Sequence, residues 1–140
     1  MRILCAALAA AIAGCAQAPA DDRSPASPSA PARLEGEWRV ESLDGAAPPA
    51  GAAPTIEFGA EGKLFGNGGC NNYGGGFAYE AGVLTVGPLF STKMACEPAR
   101  MDFETRFLER LEGALKATAD AGGALRLTDD AGAVLIRPAP

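Results

Sequence analysis

The chain has 140 residues, room for one folded domain. Its 12 basic and 17 acidic residues leave a formal net charge of −5, which disfavours a nucleic-acid partner, since phosphates need a basic face to displace their counterions. Histidine is absent, which removes the commonest general base and the commonest zinc ligand together.

Met1-Arg2 forms a short positive n-region, and Ile3 to Ala13 is an apolar run of 11 residues. That is too short to span the roughly 30 Å of a hydrocarbon core. It ends in Ile12-Ala13-Gly14-Cys15: an aliphatic residue, two small residues and a cysteine, which resembles the lipobox cut by the bacterial lipoprotein signal peptidase. Residues 1–14 are therefore expected to be a lipoprotein signal peptide. Cys15 is then the lipidation site, carrying two or three acyl chains such as palmitate, enough for stable membrane anchoring where one chain is marginal. The alternative is an ordinary secretory leader cut near Ala16-Gln17-Ala18. Ala16 follows the cysteine where an inner-membrane retention signal would place Asp, so the expected location is the outer membrane, with the domain facing the periplasm.

The segment 16–33 is nearly all Ala, Pro and Ser with a few charges. It has nothing large to bury and cannot offset its ordering entropy, so 15–33 reads as a disordered tether carrying the lipidated cysteine. The folded domain is expected over 34–140. Leu34 to Leu43 alternates apolar with polar and predicts a strand with Trp38 and Val40 inward. Gly45 to Pro54 is a loop. Thr55–Phe58 and Lys63–Gly66 predict a hairpin, as do Phe77–Glu80 and Val83–Val86 about the Ala81-Gly82 turn. Leu125–Thr128 and Val134–Arg137 flank a further turn at Asp129-Asp130-Ala131-Gly132. Strands at such regular intervals predict a mainly β fold: a small antiparallel meander that curls into a sandwich or a barrel.

Pro98 to Leu115 breaks that rhythm. Met101, Phe103, Phe107, Leu108, Leu111, Ala114 and Leu115 recur at helical spacing, which predicts one amphipathic helix packed on the sheet. Pro98 suits its first turn, and Arg100–Glu104 and Asp102–Arg106 stand as i,i+4 pairs. Lys116 to Ala119 reads as a returning strand. Trp38, Phe58, Phe65, Phe77, Leu84 and the helix residues are about what the domain needs to fill its core, which weighs against a large ligand cavity.

Four cysteines are present. Cys5 leaves with the leader and Cys15 takes lipid, leaving Cys70 and Cys96, 26 positions apart. In an oxidising compartment such a pair reads as a disulfide, worth about 3.5 kcal/mol by loop closure. Two free thiols are the alternative. A redox pair is usually closer in sequence, and a zinc site lacks two ligands.

Gly68-Gly69-Cys70-Asn71-Asn72-Tyr73, a Gly-rich strand, Gly87 to Cys96 ending in Ser91-Thr92-Lys93-Met94-Ala95-Cys96, and Met101 with Glu104 on the helix together resemble the META domain family. The opening Leu34-Glu35-Gly36-Glu37-Trp38 belongs to the same resemblance. It implies a compact antiparallel barrel with one helix, no enzymatic activity, and an envelope protein associated with stress tolerance and antibiotic resistance. The Gly74-Gly75-Gly76 run departs from the family's usual bulkier strand and leaves that strand's register open.

Gly66, Gly68 and Gly69 share only glycine content with a phosphate-binding loop, because no Lys-Ser/Thr pair follows. Ser91 and Thr92 have no histidine to activate them. No catalytic residue, cofactor or metal is expected. The polar residues beside the cysteine pair, Asn71, Asn72, Tyr73, Ser91, Thr92 and Lys93, are the candidate contact site. A purely structural role competes with it, in which Asn71 and Asn72 adopt left-handed turn conformations, Tyr73 packs and Lys93 is solvated. The expected function is that of a lipid-anchored envelope protein that binds another envelope component. The alternative is a carrier of small apolar ligands, if the barrel keeps an apolar pocket.

Overall fold

The alternation read from Leu34 onward builds a barrel in the computed structural model, which describes residues 34–140; the leader, Cys15 and the tether lie outside the described residues. In chain order the strands are β1 (Gly36–Leu43), β2 (Thr55–Phe58), β3 (Lys63–Asn67), β4 (Asn72–Glu80), β5 (Val83–Val86) and β6 (Phe90–Ser91). A helix α1 (Pro98–Leu111) follows, then β7 (Gly113–Ala119), β8 (Leu125–Thr128) and β9 (Ala133–Pro138). Hydrogen bonding runs β3-β2-β1-β9-β8-β7-β5-β4, and β4 pairs back to β3, so eight strands close on themselves. All pairings are antiparallel. The two-residue β6 is added to β4 through Tyr73–Ser91 and Gly74–Phe90. Closure satisfies the backbone groups that an open sheet would leave at its edges.

The inward positions alternate as sheet geometry requires. Ile56, Phe58, Leu64, Leu84, Leu115, Leu125, Leu127, Val134 and Ile136 are all at most 1% exposed. Trp38 and Val40 point inward as expected, and the Trp38 indole N–H donates to the Leu34 carbonyl at 2.8 Å. A register shift between Val40 and Ser42 adds one residue to β1, which is why Leu43 rather than Ser42 returns to the core.

Three expectations are corrected here. Phe65 is 44% exposed, because Leu64 takes the inward position and the next side chain in a strand must point the other way. The helix ends at Leu111 rather than Leu115. Glu112 is extended, Gly113 sits at φ +103, and Leu115 turns inward from β7 instead. The apolar spacing around Leu111 and Leu115 fits a helix and an alternating strand equally, and glycine at a left-handed position decides for the strand. Neither the Arg100–Glu104 nor the Asp102–Arg106 ion pair forms among the described residues. The Gly-rich stretch is resolved as well: Gly74, Gly75 and Gly76 lie inside a nine-residue strand paired to Phe65, Leu64 and Lys63.

The helix lies across one end of the barrel. Its buried stripe is Phe103, Phe107 and Leu111, with Phe107 edge-on to Tyr73 at 5.8 Å. Near its C-terminus Arg110 donates to Asp44 at 2.9 Å, just past β1, and lies 3.6 Å from Asp129 in the β8–β9 turn. From the middle of the helix Glu104 reaches the turn between β3 and β4.

Candidate functional site

The turn joining β3 to β4 is glycine-rich because it must bring backbone close to a carboxylate of its own chain. Glu104 is only 7% exposed. Its Oε2 accepts the backbone N–H groups of Cys70 at 2.9 Å and Asn71 at 2.5 Å. A Cβ on Gly68 would stand 2.8 Å from that same oxygen. Gly69 supplies the turn's left-handed backbone at φ +116. Successive N–H groups converging on an anion form the kind of concavity that elsewhere holds phosphate. Here it is already filled by Glu104.

Asn71 is the hub of the arrangement. Its Nδ2 donates to Glu104 Oε1 at 2.7 Å and to the Met94 carbonyl at 3.3 Å. Its Oδ1 accepts from Met94 N–H at 2.6 Å and from Thr92 Oγ1 at 3.0 Å. Those four bonds use the whole capacity of a carboxamide. Cys70 and Cys96 form a disulfide with Cα atoms 6.0 Å apart, tying the turn to the residues that lead into α1. From the helix, Arg100 Nε donates to the Gly69 carbonyl at 2.8 Å. The turn is therefore held by a covalent link, a carboxylate and a guanidinium, all from the α1 side.

Of the six residues expected at a contact site, two are internal. Asn71 and Tyr73 are 4% and 3% exposed. Burial pushes the Tyr73 hydroxyl well above its usual ionisation range, and it donates to the Thr55 carbonyl at 2.7 Å. Neither asparagine has positive φ, so the left-handed expectation is also corrected: the side-chain bonds of Asn71, rather than an unusual backbone, specify it. Asn72, Thr92 and Lys93 are exposed and Ser91 is half-buried. Lys93 Nζ reaches Ser91 Oγ at 3.4 Å on the surface. Exposed Phe90 and Met94 flank this strip, and Met94 and Met101 line a small pocket of about 250 Å³ above Asn71 and Glu104.

Glu104 and Arg100 are the residues that helix-surface reasoning misplaced. The available signal was position: Glu104 sits beside Phe103 on the helix and so within reach of the buried stripe. Asn67 and Thr55 were missed outright. Asn67 Oδ1 accepts Gly69 N–H at 2.8 Å and Thr55 Oγ1 accepts Asn67 N–H at 3.2 Å, contacts made only once β2, β3 and the turn meet. Among the described residues no group of acidic and cysteine side chains is placed to hold a metal ion. No described helix is long and apolar enough to cross a membrane.

The comparisons agree with this architecture. A solved NMR structure is 23% identical, with a TM-score of 0.61 over 74% of this chain and 88% of that one. An NMR structure of a protein from Burkholderia xenovorans is 28% identical, with a TM-score of 0.62 over 92% of this chain and 96% of that one. No curated protein matches the chain. The META domain model matches residues 32–139, which spans the closed barrel, the clasped turn and the helix. The chain therefore belongs to the META domain family.

Proposed function

We propose that this META domain protein is a lipid-anchored, non-enzymatic component of the bacterial envelope, held at the outer membrane through Cys15. On this reading its domain binds another envelope component and so contributes to envelope stress or antibiotic tolerance. One observation carries the binding role. Asn71 and Glu104, the buried polar residues of the motif, spend their bonds inside the protein, while the strip they support presents Phe90 at 69% and Met94 at 55% exposure beside Asn72, Thr92 and Lys93. A rigid polar strip with isolated apolar anchors fits a contact surface. A reaction centre would instead need an unspent nucleophile beside a base. The apolar-carrier alternative finds less support, because the inward side chains fill the barrel.

Two experiments test the reading. Metabolic labelling with palmitate should mark the wild-type protein and not Cys15→Ser; label retained in the variant rejects the anchor. A photo-crosslinking residue in place of Phe90 or Lys93 should give a discrete adduct in intact envelopes, and one in place of Arg126 on β8 should not. Adducts of equal yield from all three positions, or from none, reject the strip as the contact surface.

A further inference from the structure

The barrel has two ends, and α1 covers one of them. At the other, where Leu34 leads into β1 and the β2–β3 turn faces β4, lies a depression of about 600 Å³. Its walls include the inward-facing side chains of Leu34, Phe77 and Tyr79, and Glu35 and Glu61 also line it. Phe77 is fixed edge-on against Phe58 with ring centroids 5.1 Å apart. Gly62 lets the turn approach β4 closely, since a Cβ there would stand 2.7 Å from the Phe77 carbonyl. The Tyr79 hydroxyl is buried and has no hydrogen-bond partner among the described residues, a deficit that costs free energy unless something supplies the missing bond. Glu61 stands at φ 58 on the turn, and its ion pair among the described residues is with Lys63, at 3.6 Å with both side chains largely exposed. Glu35 makes no ion pair among the described residues.

We propose that this open end is a binding site for a small organic cation, an ammonium group carried on a compact apolar body. Aromatic faces attract such cations through their quadrupole, and carboxylates beside them add charge complementarity. The same carboxylates disfavour an anionic guest. A purely hydrocarbon guest would leave the Tyr79 hydroxyl unpaired. The volume falls within the range of small-molecule sites, and the net charge of −5 favours the approach of a cation. The site lies at the opposite end of the barrel from the clasped turn and does not depend on the contact strip.

Choline and its uncharged isostere 3,3-dimethyl-1-butanol make the discriminating pair of probes, titrated into the mature, disulfide-intact Cys15→Ser chain and followed by backbone amide shifts. Choline is expected to move Gly59, Gly62, Ala78 and Tyr79 along a saturable curve, with the isostere binding about tenfold more weakly. The double variant Glu35→Gln/Glu61→Gln should weaken choline by about tenfold and leave the isostere unchanged. Tyr79→Phe should weaken it by about threefold with the remaining spectrum intact. Equal binding of the two probes, shifts confined to other residues, or no shift up to about 100 mM choline overturns the proposal. Once choline binding is established, co-sedimentation with phosphatidylcholine vesicles distinguishes a lipid headgroup from a free ammonium compound.

Discussion

Glu104 shows how much a single side chain can organise. Its carboxylate takes two backbone donors and one side-chain donor in a buried turn, and buried groups deprived of a partner bear their full desolvation cost. Glu104→Ala should therefore lower stability by about 3 kcal/mol, read as a shift of the urea midpoint; a change under about 0.5 kcal/mol would mean that the turn does not rely on it. Gly66 makes a second, purely steric case. A Cβ at that position would stand 2.1 Å from the Thr55 carbonyl and 2.7 Å from the Tyr73 hydroxyl. Backbone cannot yield as a flexible side-chain tip can, so Gly66→Ala should cost about 2–3 kcal/mol, whereas Gly51→Ala, on an open loop with φ +78, should cost about 1 kcal/mol through backbone strain alone. Comparable losses at both positions in thermal melts would contradict the steric account. The glycines of this stretch were legible in the sequence as a cluster. Their reason was not, because Thr55 and Glu104 approach them from distant parts of the chain.

At the scale of elements, α1 is fastened to the barrel near both ends. Near its C-terminus the Arg110 guanidinium, by hydrogen bond first, holds the Asp44 carboxyl below its ordinary range, aided by the Ala133 N–H. A depressed carboxyl stabilises the fold above its unfolded pKa of about 3.9, and that stability is lost as pH falls through the lower folded value. The Asp44 side chain is about one-third exposed, so screening leaves a contribution of about 1 kcal/mol. Asp44→Asn should accordingly lower the urea midpoint at pH 7 and converge with wild type as pH falls through the depressed Asp44 pKa; parallel curves at every pH would remove the ion pair from the account. On the N-terminal side the fastening is the disulfide. Cys70→Ser/Cys96→Ser should cost about 3.5 kcal/mol by loop closure, and full retention of the wild-type melting temperature would show the clasp to be redundant with Glu104. The helix itself was readable from its spacing, but its last turn was not. Periodicity near Leu115 serves helix and strand alike, and Gly113 at a left-handed φ together with the pairing of Leu115 to Leu84 of β5 settles which forms.

For the molecule as a whole, closure matters more than any one strand. The inward residues at 0–1% exposure fill the barrel, so fatty acids should leave the melting temperature unchanged; a rise that follows ligand concentration would reveal an apolar cavity. Strand positions and inward alternation came from local pattern, which reports on each segment separately and left sandwich and barrel open; the META resemblance chose the barrel. Placing Phe65 outside required knowing that Leu64 had taken the inside, and the sequence supports either choice at that pair. The sequence by itself determined the charge that disfavours nucleic acid, the absence of histidine, the META motif and the pairing candidates Cys70 and Cys96. Only the tertiary structure decided that Asn71 and Tyr73 turn inward, that Glu104 fills the concavity of the Gly68–Asn71 turn, and that the described residues leave one end of the barrel open. Those outcomes depend on contacts between residues more than 30 positions apart, such as Glu104 with Cys70 and Asn71, and local propensity carries no record of such meetings.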